Sequence, residues 1–238
     1  MTAIVERLSV SPRVERIGNA ELWLGDARDV LSGIRNADVI VTDPPYGIGY
    51  KTNRRKVAST PAEIANDKEP PLWIIRMCAD AIADGGAIYL CTSLAVMPVW
   101  ATSLAAAGLM RKTPVVWDKG NTTAGDLTGD FGNQVEIVLF AHKGRHRLRA
   151  GRISNLWSIP RPPPSEHPTP KPVGLMARCI ECSTDTDDLV VDPFMSEGPT
   201  GVAAMRLGRS FIGVELVQSY FDTACRRIER EARQGRLL

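Results

Sequence analysis

Two short segments of this sequence combine an acidic side chain with proline and an aromatic ring, and each follows a short apolar run. Asp43-Pro44-Pro45-Tyr46 follows the apolar run at 38–42, and Asp192-Pro193-Phe194 follows a second apolar run at 188–191. Short apolar runs of this kind are typical of buried strands. A purely structural sheet does not require such groups at its rim, so both segments are candidates for a functional site.

The Asp43-Pro44-Pro45-Tyr46 segment is suited to hold a planar group that carries an NH₂. Two consecutive prolines fix φ and remove two backbone N–H donors, which leaves a stiff segment whose carbonyl oxygens have few local competitors. The Asp43 carboxylate and the Pro44 carbonyl could then accept two hydrogen bonds from one amine, while the Tyr46 ring stacks on the attached ring. An ordinary turn after a strand explains the tetrapeptide equally well, so both interpretations stay open at this point.

The second segment indicates a nucleotide-type cofactor site. From Asp192 to Gly201 the sequence predicts a strand, a tight turn of small residues and the start of a helix. Glu215 ends the next predicted strand about 20 residues further on, where an acidic residue commonly binds ribose hydroxyls. A lone turn of this kind is a weak signal, and the spacing to Glu215 strengthens it.

Apolar periodicity predicts the elements that position these residues. The predicted strands are 20–24, 38–42, 87–91, 113–117, 135–141, 188–191 and 211–214. The predicted helices are 27–34, 70–83, 94–107, 171–183, 199–207 and 218–233, with Asp84-Gly85-Gly86 ending the second. This alternation is typical of βαβ units around a mainly parallel sheet, which binds ligands at the carboxyl ends of its strands. We therefore expect Asp26, Asp43, Asp192 and Glu215 at one edge.

Length and composition are ordinary for a globular protein. The chain has 238 residues, of which 44% are hydrophobic and 24% charged, so we predict one domain over 1–238 and no wholesale disorder. No apolar run approaches the roughly 18 residues of a membrane helix, and the N-terminal segment lacks the apolar core of a signal peptide. The five scattered cysteines fit a reducing compartment. We expect a cytoplasmic protein with no membrane partner.

The order of these segments resembles the beta class of DNA amino-methyltransferases, which methylate exocyclic amines with S-adenosylmethionine. Four blocks, spread over roughly residues 20–220, carry the resemblance. They are Gly25-Asp26, Asp43-Pro44-Pro45-Tyr46, His167-Pro168-Thr169-Pro170-Lys171-Pro172, and Asp192 through Gly201 followed by Gly213-Val214-Glu215. The resemblance implies an α/β Rossmann-like methyltransferase fold. Its sheet would be mainly parallel with an antiparallel edge hairpin, and its motif order circularly permuted, with the catalytic motif before the cofactor loop.

The resemblance also implies a reaction and a set of site residues. The reaction is methyl transfer from S-adenosylmethionine to the N6 amine of adenine in double-stranded DNA, with base flipping and direct in-line transfer. Aspartate at the first position of the catalytic motif usually accompanies adenine, and serine accompanies cytosine. The catalytic residues implied are Asp43, Pro44, Pro45 and Tyr46. The cofactor-binding residues implied are Asp26, Ala27, Asp43, His167, Lys171, Pro172, Asp192, Phe194, Ser196, Gly198, Thr200 and Glu215.

The cofactor loop departs from the usual family pattern Phe-x-Gly-x-Gly. Ser196 stands where the first glycine is usual, and Glu197 adds a negative charge. Glycine there lets the backbone approach a ligand closely. Glu197 would either stabilise the following helix N-terminus or weaken binding of the cofactor's carboxylate. A catalytically degenerate DNA-binding pseudoenzyme therefore stays open as an alternative. Cytosine-N4 methylation and RNA methylation also stay open, because the first residue of the catalytic motif is only a correlate of the base.

Positive charge is concentrated in two segments, although the net charge of the chain is only +2. Such segregation is typical of a phosphate-binding face, and solvated loop charge is the simpler alternative. We predict a DNA-contact loop at 51–68 and a small target-recognition insertion at about 119–166. The predicted DNA-binding residues are Lys51, Arg54, Arg55, Lys56, Lys143, Arg145, Arg147, Arg149 and Arg152.

Three further features lead to weaker expectations. Cys179 and Cys182 have a CxxC spacing, but they lie inside a predicted helix where this spacing marks one buried face, so no metal is expected. Trp73 is predicted to lie in the core, and Trp157 either stacks on a base or plugs a loop. The sequence leaves the oligomeric state open, a homodimer included.

Overall fold

The structure is a computed structural model that describes residues 13–47, 67–122, 128–163, 165 and 168–235. These residues form one twisted sheet with helices on both faces. The strands are β1 Arg13–Ile17, β2 Ala20–Leu24, β3 Ala37–Thr42, β4 Ile82–Thr92, β5 Met110–Arg111, β6 Val115–Asp118, β7 Val135–His142, β8 Leu156–Ser158, β9 Leu189–Asp192 and β10 Ser210–Glu215. The helices are α1 Ala27–Leu31, α2 Trp73–Ala81, α3 Met97–Ala106, α4 Val173–Ser183, α5 Pro199–Arg206 and α6 Gln218–Gly235.

The strand order confirms the predicted sheet type. The order is β1-β2-β10-β9-β3-β4-β7-β6-β8, with β5 paired to β7. The central strands β2, β10, β9, β3 and β4 pair in parallel, and β1 and β2 form the antiparallel edge hairpin. Beyond β4 the direction reverses, because β7 pairs antiparallel with both β4 and β6. The last strand, β8, pairs in parallel with β6.

Two apolar layers hold the helices against the sheet. Alternate residues of a strand point to opposite faces, so Val39 and Val41 pack with α4, α5 and α6, while Ile40 packs with α1, α2 and α3. Cys179 and Cys182 belong to the first layer and are buried. This agrees with their interpretation as one buried helix face. No helix among the described ranges combines the length and apolarity needed to cross a bilayer.

One predicted helix end is wrong. α2 ends at Ala81 and β4 begins directly at Ile82, so Asp84-Gly85-Gly86 lies inside a strand. A Cβ on Gly86 would lie 2.7 Å from the Ile82 side chain and 2.9 Å from the Ala37 carbonyl oxygen. Glycine is therefore needed here for the close approach of two strands and not for a turn. The other predicted elements agree with the structure to within a few residues, while β1, β5 and β8 were not predicted.

Two tryptophans test the predicted core. Trp73 is 39% exposed, so its assignment to the core is wrong; its ring lies against the Arg28 guanidinium at 5.1 Å. Trp157 is buried, and its indole N–H donates to the Ser154 carbonyl at 2.8 Å. The Arg178 guanidinium lies 4.8 Å from a Trp157 ring centre. Trp157 therefore fills the interior beneath a loop and does not present a stacking face for a base.

Candidate active site

Strands β3 and β9 bring the two acidic segments to the same edge of the sheet. The strands are neighbours and run in parallel, with Val39 opposite Val190. At their carboxyl ends the Thr42 hydroxyl donates to the Asp192 carboxylate at 2.9 Å. The chain segments that begin with Asp43 and Asp192 therefore leave the sheet side by side. Parallel α/β sheets bind their ligands at this position, outside the carboxyl ends of the strands.

A cavity of about 410 Å³ opens at this edge. Its size lies within the range of about 300–1,000 Å³ that is typical of small-molecule sites. Five of the predicted cofactor residues line it: Asp43, Lys171, Asp192, Phe194 and Ser196. Asp26, Ala27, Pro172, Gly198, Thr200 and Glu215 are not among its lining residues. His167 lies outside the described residues.

Both oxygens of the Asp43 carboxylate have partners. The Lys171 ammonium lies 2.8 Å from Oδ2, and the Tyr46 hydroxyl donates to Oδ1 at 3.0 Å. The same ammonium lies 5.4 Å from the centre of the Tyr46 ring. Burial lowers the pKa of Lys171, but the carboxylates of Asp43 and Glu136 outweigh burial and hold that pKa above its ordinary value. The lysine is therefore a permanent cation beside Asp43.

Two charged residues that the sequence analysis missed complete this group. Glu136, in β7, has Oε2 3.3 Å from the Lys171 ammonium and Oε1 3.2 Å from the Lys119 ammonium. The Tyr46 hydroxyl also lies 3.3 Å from Glu136 Oε2. We call Asp43, Lys171, Glu136 and Lys119 the charge cluster. The sequence signal for Glu136 is a single acidic residue at the start of an otherwise apolar strand, whereas Lys119 directly follows Asp118 at the end of β6 and carries no such signal.

The carboxylate of Asp192 is held by neutral donors. Its Oδ1 accepts hydrogen bonds from the Thr42 hydroxyl at 2.9 Å and the Phe194 backbone N–H at 3.1 Å, and its Oδ2 accepts from the Thr200 hydroxyl at 2.6 Å. Burial raises the pKa of Asp192 to about 7. Asp192 thus lies in the cavity wall as a brace that joins β3, the loop after β9 and α5.

Glu215 is held in a similar way. Its two oxygens accept hydrogen bonds from the backbone N–H groups of Ser196, at 2.9 Å, and Val217, at 2.7 Å. Burial raises its pKa above the ordinary value. The Gly25 N–H donates to the Glu215 carbonyl at 2.9 Å, which places Asp26 on the adjacent loop. There the Asp26 carboxylate accepts from the Arg28 backbone N–H at 2.9 Å and caps α1.

Both departures from the family pattern lie in the loop from Met195 to Gly198. Ser196 has φ +48° and Gly198 has φ +74°, so both positions are left-handed, the region that glycine adopts at little cost. Glu197 is buried, and its carboxylate lies 3.7 Å from the Arg227 guanidinium, which also donates to the Glu197 carbonyl at 2.8 Å. The extra negative charge is therefore paired with α6.

The basic segment after β7 does not lie beside Asp43. β7 begins at the site edge with Val135 and ends at the opposite edge with His142, because it runs antiparallel to β4. Lys143, Arg145, Arg147 and Arg149 follow at that opposite edge, and Arg152 lies between them and β8. The residues from Lys143 to Arg149 therefore do not lie beside Asp43, which sequence spacing alone does not show, and their contact with DNA stays a prediction.

Two of these basic side chains are engaged within the protein. The Lys143 ammonium donates to the carbonyls of Ala79 and Ile82, both at 3.0 Å, and so caps the end of α2. The Arg149 guanidinium pairs with Asp185 at 2.9 Å. The other predicted DNA contacts, Lys51, Arg54, Arg55 and Lys56, lie outside the described residues, as does most of the 51–68 loop.

Comparison with known proteins gives a consistent answer. Residues 37–226 match the family model N6_N4_Mtase, DNA methylase. The Type II methyltransferase M2.LlaDCHI of Lactococcus lactis subsp. cremoris is 27% identical, over 91% of this chain and 92% of that protein. The Type II methyltransferase M2.DpnII of Streptococcus pneumoniae is also 27% identical, over 82% of this chain and 83% of that protein.

Solved structures share the fold. The crystal structure of the M1.HpyAVI-SAM complex is similar with a TM-score of 0.69 and 26% identity, covering 87% of this chain and 99% of that one. The PvuII DNA methyltransferase, which is cytosine-N4-specific, has a TM-score of 0.71 at 15% identity, covering 92% of this chain and 91% of that one. The second likeness shows the fold alone.

Proposed function

The chain belongs to the DNA methylase family, and we propose that it transfers a methyl group from S-adenosylmethionine to the N6 amine of adenine in double-stranded DNA. The observation that carries the proposal is the meeting of the Asp43–Tyr46 segment with the Asp192–Phe194 loop around one cavity. The aspartate at the first motif position favours adenine over cytosine. The pairing of Glu197 with Arg227 favours a working cofactor loop over a degenerate one.

Asp43 and Pro44 would act on the target amine. An exocyclic amine is a poor nucleophile because its lone pair is delocalised into the ring. Hydrogen bonds from its two N–H groups to the Asp43 carboxylate and the Pro44 carbonyl favour a pyramidal nitrogen and localise that lone pair. Each carboxylate oxygen has two acceptor positions, so Lys171 and Tyr46 can stay bound to Asp43 while the amine binds.

The target base must leave the duplex to reach Asp43. The amine of a paired adenine lies inside the double helix, and enzymes that modify it extrude the nucleotide into a pocket. The Tyr46 hydroxyl donates to the Asp43 carboxylate at 3.0 Å, so the ring lies next to the group that would hold the amine. We therefore include base flipping in the proposal, with Tyr46 as the stacking partner and Asp43 as the group that holds the amine in place.

The residues around the cavity fit S-adenosylmethionine. When bound, this cofactor supplies a methyl group activated by a sulfonium charge. Glu215 uses one lone pair on each oxygen for backbone N–H groups and keeps the others for ribose hydroxyls. Ser196 and Phe194 line the cavity beside it, and their loop gives close backbone access. Asp26 lies on the adjacent loop, where the Arg28 backbone N–H and guanidinium donate to its carboxylate, and its contact with the cofactor stays a prediction.

DNA contact is proposed for two parts of the chain. The 51–68 loop begins five residues after Tyr46 in the sequence, and this closeness along the chain supports DNA contact by its basic residues. The range 119–166 contains two strands of the sheet, β7 and β8. It leaves the site edge after Asp118, meets that edge again at Val135, reaches the opposite edge at His142 and returns at Ser158, whose hydroxyl donates to the Asp118 carboxylate at 3.1 Å. We propose that the parts of this range near Asp118 and Ser158, and not residues 143–149, contact DNA. We also propose a cytoplasmic location, where DNA is available, and a permuted motif order; a homodimer stays open.

Product identification tests the proposal. The purified protein is incubated with methyl-labelled S-adenosylmethionine and a mixed-sequence duplex, and the digested nucleosides are separated. N6-methyladenine is the expected product. N4-methylcytosine would replace the proposal by the cytosine alternative, and label only in an RNA of the same sequence would replace it by the RNA alternative. Binding of cofactor and duplex without any labelled product, at every pH tested, would identify a DNA-binding pseudoenzyme.

A further inference from the structure

We propose that Glu136, held by Lys119, is a positioning residue for methyl transfer: it fixes the Lys171 ammonium against Asp43, so that the carboxylate keeps the orientation in which it accepts the target amine. The proposal rests on the role of Asp43 given under the proposed function. Neither Glu136 nor Lys119 lines the cavity, so both act through other residues.

The geometry gives Glu136 a partner on each oxygen. Oε1 faces Lys119 at 3.2 Å, and Oε2 faces Lys171 at 3.3 Å and the Tyr46 hydroxyl at 3.3 Å. Lys171 and Tyr46 are the same two groups that hold the Asp43 carboxylate. Glu136 therefore contacts both of the groups, Lys171 and Tyr46, that contact the Asp43 carboxylate.

The backbone of Glu136 and Lys119 is fixed by the sheet, whereas Asp43 and Lys171 lie on irregular segments. Glu136 is opposite Trp117 in the β6–β7 ladder, and the Lys119 N–H donates to the Gln134 carbonyl at 3.1 Å. Asp43 follows the end of β3, and Lys171 lies between two prolines before α4. The strands β6 and β7 thus hold Glu136 and Lys119 in place, and Glu136 in turn contacts Lys171. Functional side chains are positioned most precisely when regular secondary structure supports them.

The charges of the cluster balance only if all four members are present. The two lysine side chains are 2% and 5% exposed, so each ammonium needs an opposite charge close by. Burial raises the pKa of Glu136, but Lys171 and Lys119 outweigh burial and hold it below its ordinary value. The titratable and charged groups that act on Glu136 directly are Tyr46, Cys91, Lys119 and Lys171. Arg161 acts on Lys119, and Asp43 acts on Lys171.

The first test is Glu136→Gln, with Glu231→Gln as the matched control. Glu231 is 16% exposed against 20% for Glu136, and it pairs with Arg206 at 2.8 Å away from the cavity. A glutamine at 136 can offer its one carbonyl oxygen to only one of the two ammonium groups. We expect the single-turnover methylation rate to fall about 10- to 100-fold, with the cofactor Kd measured by calorimetry unchanged within about twofold. The control should retain the wild-type rate.

The second test is rescue by the double variant Lys119→Met/Glu136→Gln. With one ammonium removed, the glutamine carbonyl is free to face Lys171, so part of the lost rate should return. Lys119→Met alone removes a positive charge beside Glu136 and so raises the pKa of that carboxyl. The acid limb of its rate–pH profile should therefore move to higher pH. If Glu136→Gln does not fold, the rate–pH profile of Lys119→Met alone tests the proposal.

Three outcomes would overturn the inference. A wild-type rate and acid limb in Glu136→Gln would show that Glu136 does not position Asp43. A fall in rate matched by an equal loss of cofactor affinity and melting temperature, with no rescue in the double variant, would show a structural role only. An inactive wild-type protein would overturn the proposed function and this inference with it, whereas an active one with an indifferent Glu136 overturns the inference alone.

Discussion

The charge cluster and the carboxylates of the cofactor loop lie at the same edge of the sheet but are stabilised by different partners. Asp43 and Glu136 face lysine ammonium groups, whereas Asp192 and Glu215 face hydroxyls and backbone N–H groups. The consequence appears in their pKa values: lysines lower that of Glu136, while burial raises those of Asp192, to about 7, and Glu215. The lysines thus favour the charged form of Glu136, whereas the pKa of Asp192 lies near neutrality.

Removal of the shared cation should have the largest effect. Lys171→Met leaves two partly buried carboxylates, Asp43 and Glu136, with only Lys119 to balance them. Loss of one partner from a buried ion pair typically costs about 3–5 kcal/mol. We expect a fall of about 3 kcal/mol in the free energy of unfolding, measured by urea denaturation at pH 7.

The control Arg206→Met shows whether this loss of stability is specific to the charge cluster. Arg206→Met removes an exposed cation from Glu231 and should change the free energy of unfolding by less than about 1 kcal/mol. Equal losses in Lys171→Met and Arg206→Met would contradict the view that the charge cluster depends on compensation between its members.

The pH dependence of stability should distinguish the cofactor side. The pKa of Asp192 is about 7 in the folded state and about 3.9 in an unfolded chain. The folded state therefore keeps a proton that the unfolded state has released, and stability falls as pH rises from about 4 through 7. Asp192→Asn removes this contribution. The difference in unfolding free energy between wild type and Asp192→Asn should change by about 2 kcal/mol between pH 5 and pH 8.

Urea denaturation at the two pH values measures this difference. Glu231→Gln, at an exposed ion pair, serves as the control and should show no comparable slope. A difference between wild type and Asp192→Asn that stays constant with pH would show that Asp192 titrates outside this window, and the contrast between the two groups of carboxylates would then fail.

The left-handed conformation of Ser196 predicts a smaller gain. A residue with a Cβ at φ +48° is strained, and glycine at this position relieves the strain at the cost of a more flexible unfolded chain. Ser196→Gly should raise the free energy of unfolding by about 0.5–1 kcal/mol, measured by thermal denaturation. Ser196→Ala, which keeps the Cβ and loses only the hydroxyl, should show no such gain, and a gain in both variants would assign it to the hydroxyl.

The smallest effect is expected at the opposite edge of the sheet. Arg149 pairs with Asp185 there, away from the cavity. Arg149→Ala should leave the slope of log Kd for duplex DNA against log salt concentration unchanged. Loss of one phosphate contact would reduce the slope by about 0.9. A reduction of that size would place DNA on this edge and restore the original prediction for residues 143–149.

The type of fold was accessible from the sequence because apolar periodicity is a local property. Strands such as β3 and β9 are continuous apolar runs, and the acidic residues that follow them sit where the sheet ends. Predictions failed where the answer depended on partners distant in sequence. The direction of β7 decides that Lys143 lies far from Asp43 and that Glu136 lies near it, and no local pattern encodes that direction. The sequence therefore indicated motif residues such as Asp43 but not the charged residue Glu136, which contacts their partners.

The strand order also has a consequence for synthesis of the protein. Strands β9 and β10 lie between β2 and β3, so the amino-terminal hairpin has no neighbour in the sheet until the carboxyl-terminal strands are made. Without them, β2 and β3 would be separated by a gap of about 14 Å, three strand spacings wide. A nascent chain emerging from the ribosome thus carries Asp43 long before it can close the sheet around it. Methyl transfer therefore requires that β9 and β10, which are translated after every other described strand, have been made and paired.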